Sequence, residues 1–168
     1  MTIWMWILLI AIVGQRITEL LIARSNEKWL KRFGGIEKGE KHYKWFILLH
    51  CSFFLAIIAE ISLTQSPARI NLTLLSIFLA VQASRVWCIQ SLGRFWNTKV
   101  IVLPGVARIK KGPYKFVKHP NYIIVAVELF IIPLLVGAQI TAFLFPVLHL
   151  LLVRVRIPHE EEALTRTT

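Results

Sequence analysis

The stretch NYIIVAVELFIIPLLVGAQITAFLFPVLHLLLVRV, from Asn121 to Val155, holds two apolar runs, Asn121–Val136 and Gln139–Val155, separated only by Gly137 and Ala138. Two residues leave room for nothing but a tight reversal, so the pair predicts a helical hairpin whose outer ends return to one side of a membrane. Working outward, three further runs qualify as spans: Ile3–Ala23, Tyr43–Ser62 and Ile70–Leu92. A crossing takes about 20 apolar residues, somewhat fewer when flanking side chains snorkel to the interface. The two hairpin runs are short by that measure. The fold class that follows is an all-α integral membrane protein with about five transmembrane helices, a C-terminal helical hairpin and a cytoplasmic C-terminal helix. A single domain, 1–168, divides into three helices in 1–92, an interfacial and cytoplasmic loop in 93–120, and the hairpin and C-terminus in 121–168.

The chain is 56% hydrophobic, with a mean hydropathy of +0.62, too apolar for an ordinary soluble domain of this size. Its 20 Lys and Arg against nine acidic residues, all Glu, give a net charge of +11. That excess alternates with apolar runs instead of forming one basic face, which argues against a nucleic-acid partner and for positive loops beside a membrane. Seven Lys/Arg lie between Arg24 and Lys44 and seven between Arg94 and Lys118, with one in the Gln65–Arg69 loop and none at the Gly137 turn. The two basic loops therefore share the cytoplasmic side, which places the N-terminus outside and the Glu-rich C-terminus inside. Trp4, Trp6, Trp29, Trp45, Trp87 and Trp96 mostly flank the runs as interfacial anchors. Gly93–Gly105 is too short and too polar to cross and reads as an interfacial segment, turning at Pro104-Gly105.

Cys51 and Cys88 sit within apolar runs, away from CxxC or metal-ligand spacing, so neither a disulfide framework nor a metal site is expected. The first run lacks the basic flank and small-residue cleavage pattern of a signal peptide, and is expected to remain as a helix. Ionisable residues at membrane depth are candidates for function until paired. Arg16 and Glu19, three apart on one helix, can neutralise each other. Glu60 lies near the outer end of its run, where it can reach water. His50 and His149 read as neutral, hydrogen-bonded histidines. Arg85 has no acid at i±3 or i±4 and needs a partner from another helix, for which Glu128 is the first candidate, or an anionic ligand.

Two polar stretches bracket the hairpin. The first is Gly112-Pro113-Tyr114 followed by Lys118-His119-Pro120-Asn121-Tyr122; the second is Arg156-Ile157-Pro158-His159-Glu160-Glu161-Glu162-Ala163-Leu164. Taken singly, each has a plain structural reading: proline in a helix's first turn, tyrosine at an interface, acid near a helix start. Together they lie on one face, where His119, Tyr122, Arg156, Glu160 and Glu161 can converge on a ligand.

In this pairing the chain resembles the isoprenylcysteine carboxyl methyltransferase and phospholipid methyltransferase superfamily, over about its last 75 residues. It is most similar to the small bacterial members, including those that methylate long-chain alkylpyrones. Arg16-x-x-Glu19-Leu20 and Gly34-Gly35-x-Glu37-x-Gly39-x-x-His42-Tyr43 add a less specific likeness upstream. The resemblance implies S-adenosylmethionine as cofactor, a bacterial plasma membrane, and a cofactor site of Tyr114, His119, Pro120, Tyr122, Arg156, Glu160, Glu161 and Leu164. Glu160 and Glu161 would accept hydrogen bonds from the ribose or amine, and His119, Arg156 or Lys118 would meet the carboxylate. The family pattern carries Arg where this chain has Lys118, which keeps the charge but loses the bidentate fork. Lys118, Arg85 and Arg154 are the expected catalytic residues, the two arginines steering an anionic acceptor.

The expected acceptor is a lipid-like small molecule bearing a carboxylate or acidic enol, O-methylated at the cytoplasmic face. His119 and His159 are the only bases expected near the junction, which disfavours an amine that must first lose a proton. Three alternatives stand beside this reading: a phospholipid amine N-methyltransferase, an NADPH-dependent sterol-type reductase, and a non-enzymatic membrane scaffold. The reductase class shares a His-Pro-x-Tyr element, but a polyphosphate would call for cations where the second stretch is acidic. The sequence sets no oligomeric state.

Overall fold

The computed structural model describes residues 2–38, 40–64 and 70–165, with the side chains of all except 40–42 and 163–165. The helices are α1 (Ile3–Arg32), α2 (Glu40–Thr64), α3 (Leu72–Leu92), α4 (Pro120–Val136) and α5 (Gln139–Thr165). Two three-residue strands, β1 (Ile36–Lys38) and β2 (Val100–Val102), complete the regular structure with 3-10 turns at Gly93–Phe95 and Gly112–Lys115. Four helices are long and apolar enough to cross a membrane, and α4, at 17 residues, is shorter. The chain is thus an all-α integral membrane protein, as its hydropathy predicts. The loop at Gln65–Arg69, counted in the charge asymmetry, lies outside the described residues, as does Gly39.

α4 tolerates its short length because protein surrounds it. Packed between α3, α5 and α2, it buries ten of its 17 residues. Its Leu129, Ile132, Leu135 and Val136 meet Phe53 and Ile57 of α2, Phe145 of α5, and Met5, Leu9 and Ile12 of α1 in one core. The outer faces carry Ile10, Ile17, Leu55, Leu79, Phe143 and Leu151, all exposed, the pattern of helices whose solvent is hydrocarbon.

Local chemistry sets the reversal between α4 and α5. Gly137 closes α4 in the left-handed region at φ +84°, and the Ala138 N–H returns to the Pro133 carbonyl at 2.8 Å. Val136 and Ala138 are fully buried, so the turn is packed and not loose. The start of α5 is capped from another helix: Glu60 of α2 accepts from the Ile140 and Thr141 N–H groups at 2.7 and 2.8 Å and from Thr141 Oγ1 at 2.7 Å. Glu60 is half-buried and has this capping role besides any access to water; a carboxylate answers the unpaired N–H groups and the positive end of the helix dipole. The expected cytoplasmic C-terminal helix is the continuation of α5, which runs unbroken through Pro158.

Beyond the membrane the helices carry a collar. α1 continues past Ala23 to Arg32, and β1 pairs antiparallel with β2 in the register Ile36↔Val102, Glu37↔Ile101, Lys38↔Val100. Sequence reading missed this sheet, since each strand is three residues long and its partner lies some 60 positions away. Asn26 Nδ2 donates to the carbonyls of Gly93 and Trp96, and Asn97 Nδ2 to that of Ala23, which ties the Gly93–Gly105 segment back onto α1. Lys31 and Lys99 each bridge Glu27 and Glu37 over 2.6–3.0 Å. Burial raises the Glu37 carboxyl's affinity for a proton, but the two ammonium groups outweigh it and hold that carboxyl below its ordinary range. At Gly112, φ is +53° and a Cβ would fall 2.0 Å from Ser91 Oγ, so glycine is what lets the Gly-Pro-Tyr turn lie against α3.

Candidate functional site

A cavity of about 490 Å³ opens beneath the collar, walled by α1, α2, α3, the 95–109 segment and the inward faces of α4 and α5. Its size falls in the range of about 300–1,000 Å³ usual for small-molecule sites. Its polar groups fall at two levels.

The upper level is where the two sequence signatures meet. His119 immediately precedes α4, whose first helical residue is Pro120, and Tyr122 is the third residue of its first turn. Arg156 and Glu160 are four apart on α5 and project from one face. The Tyr122 hydroxyl donates to Glu160 Oε2 at 2.7 Å, and His119 Nε2 meets Glu161 Oε1 at 2.6 Å. His119 Nδ1 also lies 3.7 Å from Glu160 Oε1. Arg156 is buried, with its guanidinium 4.8 Å from the Phe46 ring centroid and 5.9 Å from that of Tyr122. It donates from Nη2 to the Thr98 carbonyl at 2.6 Å.

The expected residues do not all take the same station. Glu160, His119, Tyr122, Tyr114, Lys118 and Arg156 line the cavity, whereas Glu161 stands behind it, paired with His119 and with Arg108 at 2.8 Å. Pro120 is buried at the helix start and starts α4 without a donor to satisfy. Lys118 is exposed at the rim, and its carbonyl accepts from Arg108 Nη2. Arg154 is exposed on α5 and does not line the cavity. The Leu164 side chain lies outside those described. Burial, reinforced by Cys88 and Glu160, holds the Tyr114 phenol above its ordinary range, so it stays a neutral hydroxyl. Arg108 was missed by sequence reading: it is one of seven cations in a basic loop, and no spacing distinguishes it.

The lower level, at membrane depth, is ionic. Arg85 of α3 grips Glu19 of α1 through Nε and Nη2 at 2.6 and 2.7 Å, and reaches Glu128 of α4 from Nη1 at 2.7 Å. Arg16 bridges the same carboxylates, each at 2.8 Å. Gln15 donates to Glu19 and to Gln82, and Gln82 donates to Glu128. The expected Arg16–Glu19 and Arg85–Glu128 pairs are thus two sides of one closed network. Arg85 lines the cavity floor with every guanidine nitrogen already engaged, holding three helices together.

Three buried polar atoms lack a hydrogen-bond partner among the described residues: Asn121 Oδ1, His149 Nδ1 and Arg156 Nε. All three residues line the cavity, and unanswered buried groups are where a ligand's own polar atoms are accommodated at least cost. Among the described residues no cluster of His, Cys, Asp or Glu could hold a metal ion.

A family model described as isoprenylcysteine carboxyl methyltransferase (ICMT) family matches residues 72–166, from α3 to the end of α5. The chain is 45% identical over 160 residues, 95% of each chain, to the uncharacterised protein YpbQ of Bacillus subtilis. It is 29% identical over 159 residues, 92% of this chain and 91% of the other, to an uncharacterised protein of Haemophilus influenzae. No solved structure matches it.

Proposed function

Because the chain belongs to the isoprenylcysteine carboxyl methyltransferase family, a family of membrane methyltransferases, we propose that it moves a methyl group from S-adenosylmethionine to an oxygen of an amphipathic, lipid-like acceptor. The site would face the cytoplasm of a bacterial plasma membrane. One observation carries this reading: His119, Tyr122, Arg156 and Glu160, drawn from both ends of the hairpin, line the head of one cavity that continues past apolar side chains to membrane depth.

The residues fit the donor's chemistry. Glu160 offers a carboxylate to a ribose diol or amine, while Arg156 Nε, unpartnered, and Lys118 at the rim offer donors to a carboxylate. The rings of Phe46 and Tyr122 give an adenine apolar surface. S-adenosylmethionine, when bound, supplies an electrophilic methyl on a positively charged sulfur. The protein's own part is orientation and exclusion of water: Tyr122 is fixed by Glu160, His119 by Glu161, and the collar closes the cavity above them. A polyphosphate cofactor suits this mouth less well, since Glu160 faces the cavity and Glu161 already neutralises Arg108.

Calorimetry on the purified chain is expected to show S-adenosylmethionine binding with a dissociation constant between about 1 μM and 1 mM, the range usual for substrates. Binding of NADPH in its place would sink the proposal. The cytoplasmic placement has its own check. A single cysteine introduced at Lys38, on β1 of the collar, is expected to react with an impermeant maleimide only when the cytoplasmic side is open, and labelling from outside would reverse the orientation.

A further inference from the structure

The segment between β2 and α4 presents a charged surface for which methyl transfer has no use. Lys110, Lys111 and Lys115 are exposed on it, and Lys118, a little further on, belongs to the cavity rim. Among the described residues no carboxylate pairs with any of these ammonium groups. The acids of the collar and the mouth are committed elsewhere: Glu27 and Glu37 to Lys31 and Lys99, Glu161 to Arg108 and His119. Two apolar side chains stand among the lysines, Phe116 at 78% exposure and Val117 at 41%. In water a ring so placed gains nothing, whereas at a membrane interface it rests on hydrocarbon while the lysines stay wet.

The fold sets the depth of this surface. The turn Gly112–Lys115 packs on the end of α3. A Cβ at Gly112 would stand 3.0 Å from Trp87 Nε1 and 2.0 Å from Ser91 Oγ, so the backbone itself touches that end. Trp87 is 52% exposed and lies in the last turns of α3, where an amphipathic ring marks the border between hydrocarbon and headgroups. The turn is thereby held at headgroup depth. Its N–H groups are answered within it: that of Tyr114 by the Lys111 carbonyl, those of Phe116 and Val117 by the Pro113 carbonyl, each at 3.1 Å. A backbone satisfied in this way can face lipid without stranded donors. Tyr114 lines the cavity, and Phe116, two residues on, turns outward.

Charge and depth together select the partner. Cations beside an exposed ring, where headgroups end and tails begin, match an amphiphile with an anionic head. A free anion would answer the lysines and leave the ring in water. A second copy of the chain, docking through the same patch, would bring these lysines against themselves.

We propose that Lys110, Lys111, Lys115, Phe116 and Val117 form a docking surface for an acidic phospholipid. The lysines meet its phosphate, and the two apolar side chains lie against the start of its tails. The surface is separate from the cavity and does not depend on what the cavity holds. It runs without a break into Lys118 at the rim and His119 before α4, so a lipid held here sets the height of the cavity mouth against the headgroup layer.

Native mass spectrometry on the full-length protein in detergent measures the affinities of phosphatidylglycerol and phosphatidylcholine separately. Wild type is expected to prefer phosphatidylglycerol by at least about fivefold, the factor contributed by one lysine beside an anionic headgroup. In Lys110→Gln/Lys111→Gln/Lys115→Gln the preference disappears while phosphatidylcholine still binds, which also reports that the variant is folded. Phe116→Ser weakens both lipids by about tenfold, the order expected from losing burial of the ring, and keeps their ratio. Arg24→Gln/Lys28→Gln/Arg32→Gln removes exposed cations from α1 instead and leaves the preference intact. Glycerol phosphate, which has the charge without the tails, does not compete. Equal affinity for the two lipids in wild type, or an unchanged preference in the lysine variant, would overturn the proposal. So would an equal loss in the α1 variant, which would reduce the effect to overall charge, or competition by glycerol phosphate, which would assign the lysines to a free anion. A dimer that the lysine variant dissolves would give the surface to a second copy and overturn it as well.

Discussion

Replacing Arg85 with leucine lowers the melting temperature of the detergent-solubilised protein by on the order of 10 °C, the shift expected from losing about 3–5 kcal/mol. Arg85 is only 6% exposed and contacts Glu19 and Glu128 through three nitrogens. Its loss leaves two carboxylates at membrane depth with only Arg16 between them. The size of the effect comes from the uncompensated charge left behind, more than from the attraction lost. The double variant Arg85→Leu/Glu128→Leu is therefore expected to recover much of the stability, because one cation and one anion then remain. Equal losses in single and double variants would show that packing, and not charge balance, sets the contribution of this network.

Glu160→Gln is expected to weaken S-adenosylmethionine binding by about tenfold to a hundredfold, the equivalent of one hydrogen bond to a charged group, and methyl transfer falls with it. Glutamine still accepts from the Tyr122 hydroxyl, so the site's shape is kept while its charge is removed. Glu161→Gln should behave differently. Glu161 does not line the cavity and acts through His119 and Arg108, so donor affinity is retained within about threefold while the rate declines, an effect within the usual reach of a positioning hydrogen bond. Calorimetry and initial rates on the two variants separate the cases. Equal weakening of donor binding in both would contradict the division between a lining and a supporting carboxylate.

These two glutamates show where sequence reading stops. Adjacent residues of one motif look interchangeable in a string, but on a helix they project about 100° apart. Only the rotation of α5 against α4 turns Glu160 inward and Glu161 toward Arg108. The same limit applies to Arg85, for which the sequence shows an unpaired cation and a candidate in Glu128, but not the second carboxylate on α1 or the Gln15–Gln82 link that closes the network. Arg154 and Arg156, two apart, illustrate the converse: both are cations beside the same motif, and α5 turns one outward and the other under the Phe46 and Tyr122 rings.

The sequence by itself determined the spans, the tight reversal at Gly137 and the meeting of two polar stretches at one end of a hairpin. Transfer free energy and turn geometry are properties of a short window of chain, and windows can be read in order. The tertiary structure alone decided which charges are spent on one another, which carboxylate lines the cavity, that β1 and β2 pair to roof it, and that the lysine-rich turn lies against Trp87 near the end of α3. Those outcomes depend on helix rotation and on the relative depth of segments far apart in sequence, which no local pattern records.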